Sequence, residues 1–152
     1  ACPGASDFFA ESANKGMTLM NDLIARLESA TGPSLELDGR IWCAVNGYRF
    51  AHWDGAGCAY YFDDGKVSGI RHAPASRVRP FSASLDAALT LVPEGWIWKL
   101  DGGNDSSYCL VGRPTAKGNF GFPHKYSGFN RTPALALCVA ALRARQHKSE
   151  AA

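Results

Sequence analysis

Residues 48–72, YRFAHWDGAGCAYYFDDGKVSGIRH, decide how the chain folds. Three aromatic or β-branched runs, Tyr48-Arg49-Phe50, Cys58-Ala59-Tyr60-Tyr61-Phe62 and Lys66-Val67-Ser68-Gly69-Ile70, are separated by Asp54-Gly55 and Asp64-Gly65. Asp-Gly between such runs is a strong hairpin signal, because glycine accepts the positive φ that a tight turn demands. The stretch therefore predicts an antiparallel meander, followed by a short extended piece at Arg77-Val78-Arg79.

Outward from the meander, the periods change to those of helices. Leu19, Leu23, Ile24 and Leu27 recur at helical spacing between Thr18, a candidate N-cap, and the stop Thr31-Gly32-Pro33. Ser34 can cap a second helix to Val45, with Leu37, Ile41, Ala44 and Val45 on one stripe, Gly39 in its middle and Gly47 just past its end. Downstream, Ser84 can cap a short helix through Leu91, and Pro93-Glu94-Gly95 turns the chain. A second hairpin is predicted from Trp96-Ile97-Trp98-Lys99-Leu100 and Tyr108-Cys109-Leu110-Val111 around Gly102-Gly103-Asn104-Asp105. Thr132-Pro133 opens a final long helix to about Gln146, with Thr at N-cap and Pro at the first helical position. Hairpin connections instead of crossovers imply an α+β fold, an antiparallel sheet of about four to six strands packed with helices as an α/β sandwich. A chain of 152 residues closes one core. The organisation expected is a flexible extension over 1–16, a single domain over 17–147 and a tail over 148–152.

Sixteen Lys and Arg against 14 Asp and Glu give a formal charge of +2, too mild for coating long nucleic acid or an anionic membrane. The charge is nevertheless segregated: residues 112–152 carry seven Lys/Arg against Glu150 alone. Five cysteines, Cys2, Cys43, Cys58, Cys109 and Cys138, are odd in number and contain no C-x-x-C pair, so neither a zinc site nor a secreted disulfide framework follows and a reducing, cytoplasmic setting fits. No run approaches the roughly 18 apolar residues that span a bilayer. His52, His72, His124 and His147 are spaced too widely for a helical metal pair. No nucleophile frame of the G-x-S-x-G kind is present, so neither enzyme chemistry, metal nor cofactor is expected.

The candidate site is residues 112–131, read as a long glycine-rich loop. It holds Arg113, Lys117, Lys125 and Arg131 with no carboxylate, together with Phe120, Phe122, His124 and Tyr126, and runs into Thr132 at the start of the last helix. Guanidinium and ammonium groups meet phosphate, rings stack on a base, and a helix N-terminus favours an anion. The same residues read equally as a structural loop, a hidden strand or a partner contact.

Two further strings, Ser84-Leu85-Asp86-Ala87-Ala88-Leu89-Thr90-Leu91-Val92-Pro93-Glu94-Gly95-Trp96 and Thr132-Pro133-Ala134-Leu135-Ala136-Leu137-Cys138-Val139-Ala140-Ala141-Leu142-Arg143-Ala144-Arg145, resemble small phage and prophage proteins of the phage ABA sandwich domain family. Leu27-Glu28-Ser29-Ala30-Thr31-Gly32-Pro33 resembles the start of such proteins. The resemblance implies an α/β sandwich and a phage context in the host cytoplasm, and it carries no catalytic motif. Together these observations lead to the expectation of a phage-encoded, non-enzymatic binding protein that sequesters a small nucleotide-like anion used as a host immune signal, an anti-defence sponge. The alternative is a protein-interaction module, either an inhibitor of a host protein or a phage assembly accessory factor, its aromatics serving as interface anchors. Exposed hairpin edges also offer a route to homo-oligomers.

Overall fold

The computed structural model describes the backbone of residues 5–63, 65–117 and 120–150, with side chains for 16–63, 65–117 and 125–148. Helix α1 spans Ala5–Ser29 and α2 spans Leu35–Asn46. Strands β1 (Arg49–Trp53), β2 (Gly57–Asp63) and β3 (Ser68–Pro74) follow, then a 3-10 turn at Ala75–Arg77 and the short helix α3 (Leu85–Leu89). Strands β4 (Ile97–Gly102), β5 (Ser107–Pro114) and β6 (Phe120–Asn130) precede the last helix, α4 (Pro133–Glu150). The α+β class stands, but the six strands form two antiparallel sheets of three, β1-β2-β3 and β4-β5-β6.

Several expectations shift. Thr18 lies inside α1, which begins at Ala5, so the helical backbone covers most of the segment read as an extension; residues 1–4 lie outside the described residues. At the other end α4 continues past Gln146 to Glu150. Of the extended piece expected at Arg77-Val78-Arg79, Val78 is extended and buried but joins no sheet, and Arg77 ends a 3-10 turn that Val78 N–H closes to Ala75 O at 3.2 Å. The long loop read over 112–131 is also corrected: β5 reaches Pro114, and β6 pairs with it from Phe120 onward.

The caps carry the rest of the local structure. Ser34 and Ser84 accept N–H bonds from Leu37 and Ala87, each opening a helix, and Gly47 ends α2 in the left-handed region at φ 76°. Gly39, in the middle of α2, is where the helix crosses the first sheet: a Cβ there would sit 3.1 Å from the Phe50 ring and 3.3 Å from Cys58 Sγ.

Helix α4 is the centre of the molecule. Ala134 through Leu142 are all buried, the pattern of a helix that is apolar on every side and covered on every side. Sheet β4-β5-β6 covers one flank, and α1 and α3 cover the others. Strand β6 lies so close that a Cβ on Gly128 would overlap Ala136 O and Ala140 N. Polar bonds fix the surrounding elements. Asn130, itself buried, donates through Nδ2 to Leu27 O at 2.8 Å and Ala30 O at 3.1 Å, and accepts from Thr132 N–H at 3.1 Å. One amide thereby closes the C-terminal end of α1 and the entry to α4. Arg143 donates to Ser127 O and to the Glu28 carboxylate, and Arg145 donates to Leu91 O beside α3. A smaller cluster of Cys43, Cys58, Tyr60, Ala73 and Val78 joins α2 to the first sheet.

Gly128→Ala is expected to destabilise the fold by about 3 kcal/mol or more, because the added methyl meets backbone that cannot turn aside. Chemical denaturation monitored by circular dichroism measures the loss. Asp38 gives a second test. Its buried carboxylate accepts from Ser82 N–H at 2.7 Å, and desolvation raises its pKa against that bond. A carboxyl raised by folding stabilises most when protonated, so this contribution falls as pH rises through the acid range. Asp38→Asn keeps the acceptor without the charge and should hold or raise the midpoint at pH 7. Asp38→Ala orphans Ser82 N–H and should cost about 1–3 kcal/mol.

Candidate functional site

The pairing of β5 with β6 divides the expected anion site. Gly112 pairs with Lys125 and Pro114 with Phe120, which brings Arg113 and Lys125 to neighbouring strands at one end of the sheet. Lys117 is exposed in the connection between them. Phe120, Phe122 and His124 lie in β6, and their side chains fall outside the described residues. Arg131 and Thr132 follow the other end of β6. Six residue steps along the chain separate Lys125 from Arg131, roughly 20 Å at about 3.3 Å per step. The structure therefore puts Arg113 and Tyr126 on one face of the sheet beside Trp96, Lys125 on the other face, and Arg131 and Thr132 at the far end.

Two of the intended contacts are spent inside the fold. The Tyr126 ring points inward and is stacked between Trp96 (centroids 6.0 Å apart) and His147 (4.7 Å), with Arg113 capping the column 5.4 Å from the Trp96 ring. Tyr126 is thus engaged by two rings of the fold itself. At the start of α4, Thr132 Oγ1 accepts from Leu135 N–H, Thr132 O accepts from Ala136 N–H, and Asn130 takes Thr132 N–H. These bonds satisfy the helix entry from within the protein.

A different concavity lies on the first sheet, and sequence reading missed it. A groove of about 290 Å³ opens between α1, α2 and β1, lined by Leu19, Met20, Leu23, Arg40, Cys43 and Phe50 among others. A cleft of about 700 Å³ at the end of the sheet is lined by Arg49, Tyr61, Phe62, Asp63, Ile70 and Arg71 among others, so two guanidinium groups and one carboxylate face it. Gly47, Tyr48 and Arg49 border both. The shared wall is firm: Tyr48 lies 4.5 Å from Tyr60 and 5.7 Å from Trp42, ring centre to ring centre.

Three guanidinium groups lie over rings here, Arg40 on Phe50 at 4.5 Å, Arg49 on Tyr61 at 4.3 Å and Arg71 on Phe62 at 3.8 Å. Arg40 also holds the Glu36 carboxylate at 2.8 Å. Arg49 and Arg71 have no carboxylate partner among the described residues. The strand register places Arg49, Tyr61 and Ile70 abreast on one face of the sheet and Tyr60 and Arg71 on the other, so the two arginines reach the cleft from opposite faces at its end. A guanidinium laid on a ring keeps its N–H edges free for an oxyanion, and the ring restricts the side chain in advance. The turn at Asp54-Gly55 predicts that these strands pair, but a bulge between Phe50 and His52 is what sets Arg49 opposite Tyr61, and nothing in the sequence announces it.

Among the described residues one histidine meets a carboxylate. His72 Nε2 meets both oxygens of Asp54, at 3.0 and 3.2 Å, and that bond, with the N–H groups of Ala56 and Gly57, holds the Asp54 carboxyl below its ordinary pKa. This is a turn fastened to its neighbouring strand, exposed to solvent. The thiols of Cys43, Cys58, Cys109 and Cys138 are buried, and burial pushes each up, that of Cys109 to about 12. Among the described residues no group of three or more His, Cys, Asp or Glu is arranged to hold a metal ion, and no helix is long and apolar enough to cross a membrane. Compared with known protein families, curated proteins and solved structures, the chain matches none.

Proposed function

We propose that the chain is a non-enzymatic binding protein that takes a small anionic, aromatic ligand of nucleotide type in the cleft at the end of the first sheet. The observation that carries this reading is the pair Arg49 and Arg71, each pre-set on a ring, neither ion-paired among the described residues, and both lining one cleft in which they outnumber its single carboxylate, Asp63. The guanidinium edges meet phosphate oxygens, while Tyr61, Phe62 and Tyr48 supply ring surface for a base. The segment around Arg113, Lys117 and Lys125 is then a basic rim elsewhere on the molecule. In the phage context that the resemblance implies, such a ligand would be a nucleotide-type immune signal in the host cytoplasm, and stoichiometric binding would suffice to sequester it.

A second reading, a protein-interaction module docking on a host or phage protein, is favoured by the outer face of the second sheet. There Tyr108 and Phe129 stand opposite one another across β5 and β6, and Phe129 is 61% exposed. An exposed cross-strand aromatic pair is the kind of anchor that interfaces use.

Calorimetric titration with a panel of mononucleotides, cyclic dinucleotides and dinucleotide cofactors tests the leading reading. Binding of at least one member at submicromolar Kd is expected, weakened about 10- to 100-fold by Arg49→Ala or Arg71→Ala, the scale of a lost charge-assisted hydrogen bond. Lys125→Ala and Arg131→Ala should leave it within about twofold. A flat panel, or binding indifferent to both cleft arginines, overturns the assignment. Recovery of chemically altered ligand would instead make the protein an enzyme.

A further inference from the structure

The smaller core cluster, between α2 and the first sheet, contains a feature that ligand binding does not use. Cys43, near the C-terminal end of α2, and Cys58, in β2, are both wholly buried, and their sulfurs are 3.5 Å apart. Cys109 and Cys138 are buried as well, but their thiols turn to the backbone oxygens of Leu110 and Phe81. Proximity of Cys43 and Cys58 is built by the helix crossing: Gly39 lets α2 sink onto the sheet, with Cys58 Sγ 3.7 Å from Gly39 O. A larger residue at 39 would lift the helix and part the sulfurs. The sulfurs need to approach by about 1.5 Å to reach a bond length of about 2.0 Å. Side-chain rotation with a small helix adjustment covers that distance.

We propose that Cys43 and Cys58 are a dithiol that closes to a disulfide, a covalent staple between α2 and the central strand of the first sheet, when the chain meets a low-molecular-weight disulfide such as oxidised glutathione. One cysteine loses its proton and its thiolate attacks the glutathione disulfide, expelling one glutathione thiolate and leaving a mixed disulfide. The second cysteine thiolate then attacks the protein-bound sulfur and expels the other glutathione thiolate. Two electrons pass from the two cysteine sulfurs to the glutathione disulfide, and the two protons go to the glutathione released. The groove between α1, α2 and β1 reaches Cys43 and gives the reagent its side of approach.

Burial raises both thiols, which slows attack from the closed fold, so exchange proceeds while α2 and β2 are parted during folding or local opening. Once formed, the bond is shielded by the same packing. It joins residues 15 apart in sequence, a short loop whose closure restricts the unfolded chain. The staple is independent of the ligand reading, and it sets the conditions under which α2 is fixed to the hairpin that carries Arg49.

The test uses the full chain, refolded in millimolar oxidised glutathione and, separately, in dithiothreitol. After alkylation of the remaining free thiols in denaturant, cleavage at Arg40, Arg49 and Lys66 puts Cys43 in peptide 41–49 and Cys58 in peptide 50–66. The two peptides are expected to travel as one species in mass spectrometry and to separate on reduction. The oxidised protein should melt about 5–10 °C above the reduced one, given the loop length and chain size. A Cys43→Ser, Cys58→Ser double variant should melt at one temperature in both buffers. Full alkylation of both thiols after oxidation, stable glutathione adducts, or linkage of either cysteine to Cys2, Cys109 or Cys138 would overturn the proposal. Because linkage is read on the unaltered chain, poor folding of the variant does not blur the outcome.

Discussion

Backbone laid directly on backbone governs this molecule: strand β6 rests on helix α4 at Gly128, where no side chain separates them. So close an approach needs small residues on both partners, and Ala136 and Ala140 face the glycine. Once the helix is sunk against the sheet it must be covered elsewhere, and α1 and α3 do so with Leu23, Ile24, Leu27, Ala87 and Ala88. The depth of burial also explains the polar fastenings. A helix enclosed on all sides cannot leave its neighbours' end groups to water, so Asn130, Arg143 and Arg145 supply donors to carbonyls that would otherwise lie unpaired.

The first sheet answers to a different constraint. It is joined to the rest through α2, and its cluster is small: Cys43, Cys58, Tyr60, Ala73 and Val78, with Phe50, Trp53 and Phe62 partly open. A sheet with so little to bury has aromatic surface left over. Arginine is well suited to cover it, because the guanidinium lies flat on a ring while its edges remain hydrated. The cation-bearing cleft thus follows from incomplete coverage of a small sheet, and the charges stand there because rings stand there.

Much of the fold was legible because its signals are local. Asp54-Gly55 and Asp64-Gly65 announce the meander, and both glycines adopt the positive φ expected, 84° and 80°. Ser34, Ser84 and Thr132 cap the helices that they were expected to cap. Strand β6 escaped because its glycines erase the alternation by which strands are recognised, and the glycine that blurs it most, Gly128, is demanded by a helix that follows in the chain. Two sheets instead of one could not be foreseen from hairpins, which report pairing within a ribbon and nothing about which ribbons join. The site was the least legible part. Composition places cations and rings in 112–131, yet a strand distributes its residues over length and over two faces, and Tyr126 turned inward to stack on Trp96 and His147.

Enclosure of α4 also orders events in time. The helix against which α1, α3 and the second sheet pack is the last of these elements to leave the ribosome, and its contacts with α1 join residues more than 100 positions apart, Arg143 with Glu28 and Asn21 with Gln146 among them. The meander has α2 to rest on, but until α4 emerges the second sheet lacks the helix that covers it, and isolated hairpins are marginal in water. A nascent chain of this protein therefore waits, with its sheet faces open, for its closing turns, and the burden of keeping it soluble in that interval falls on the cell's holding chaperones.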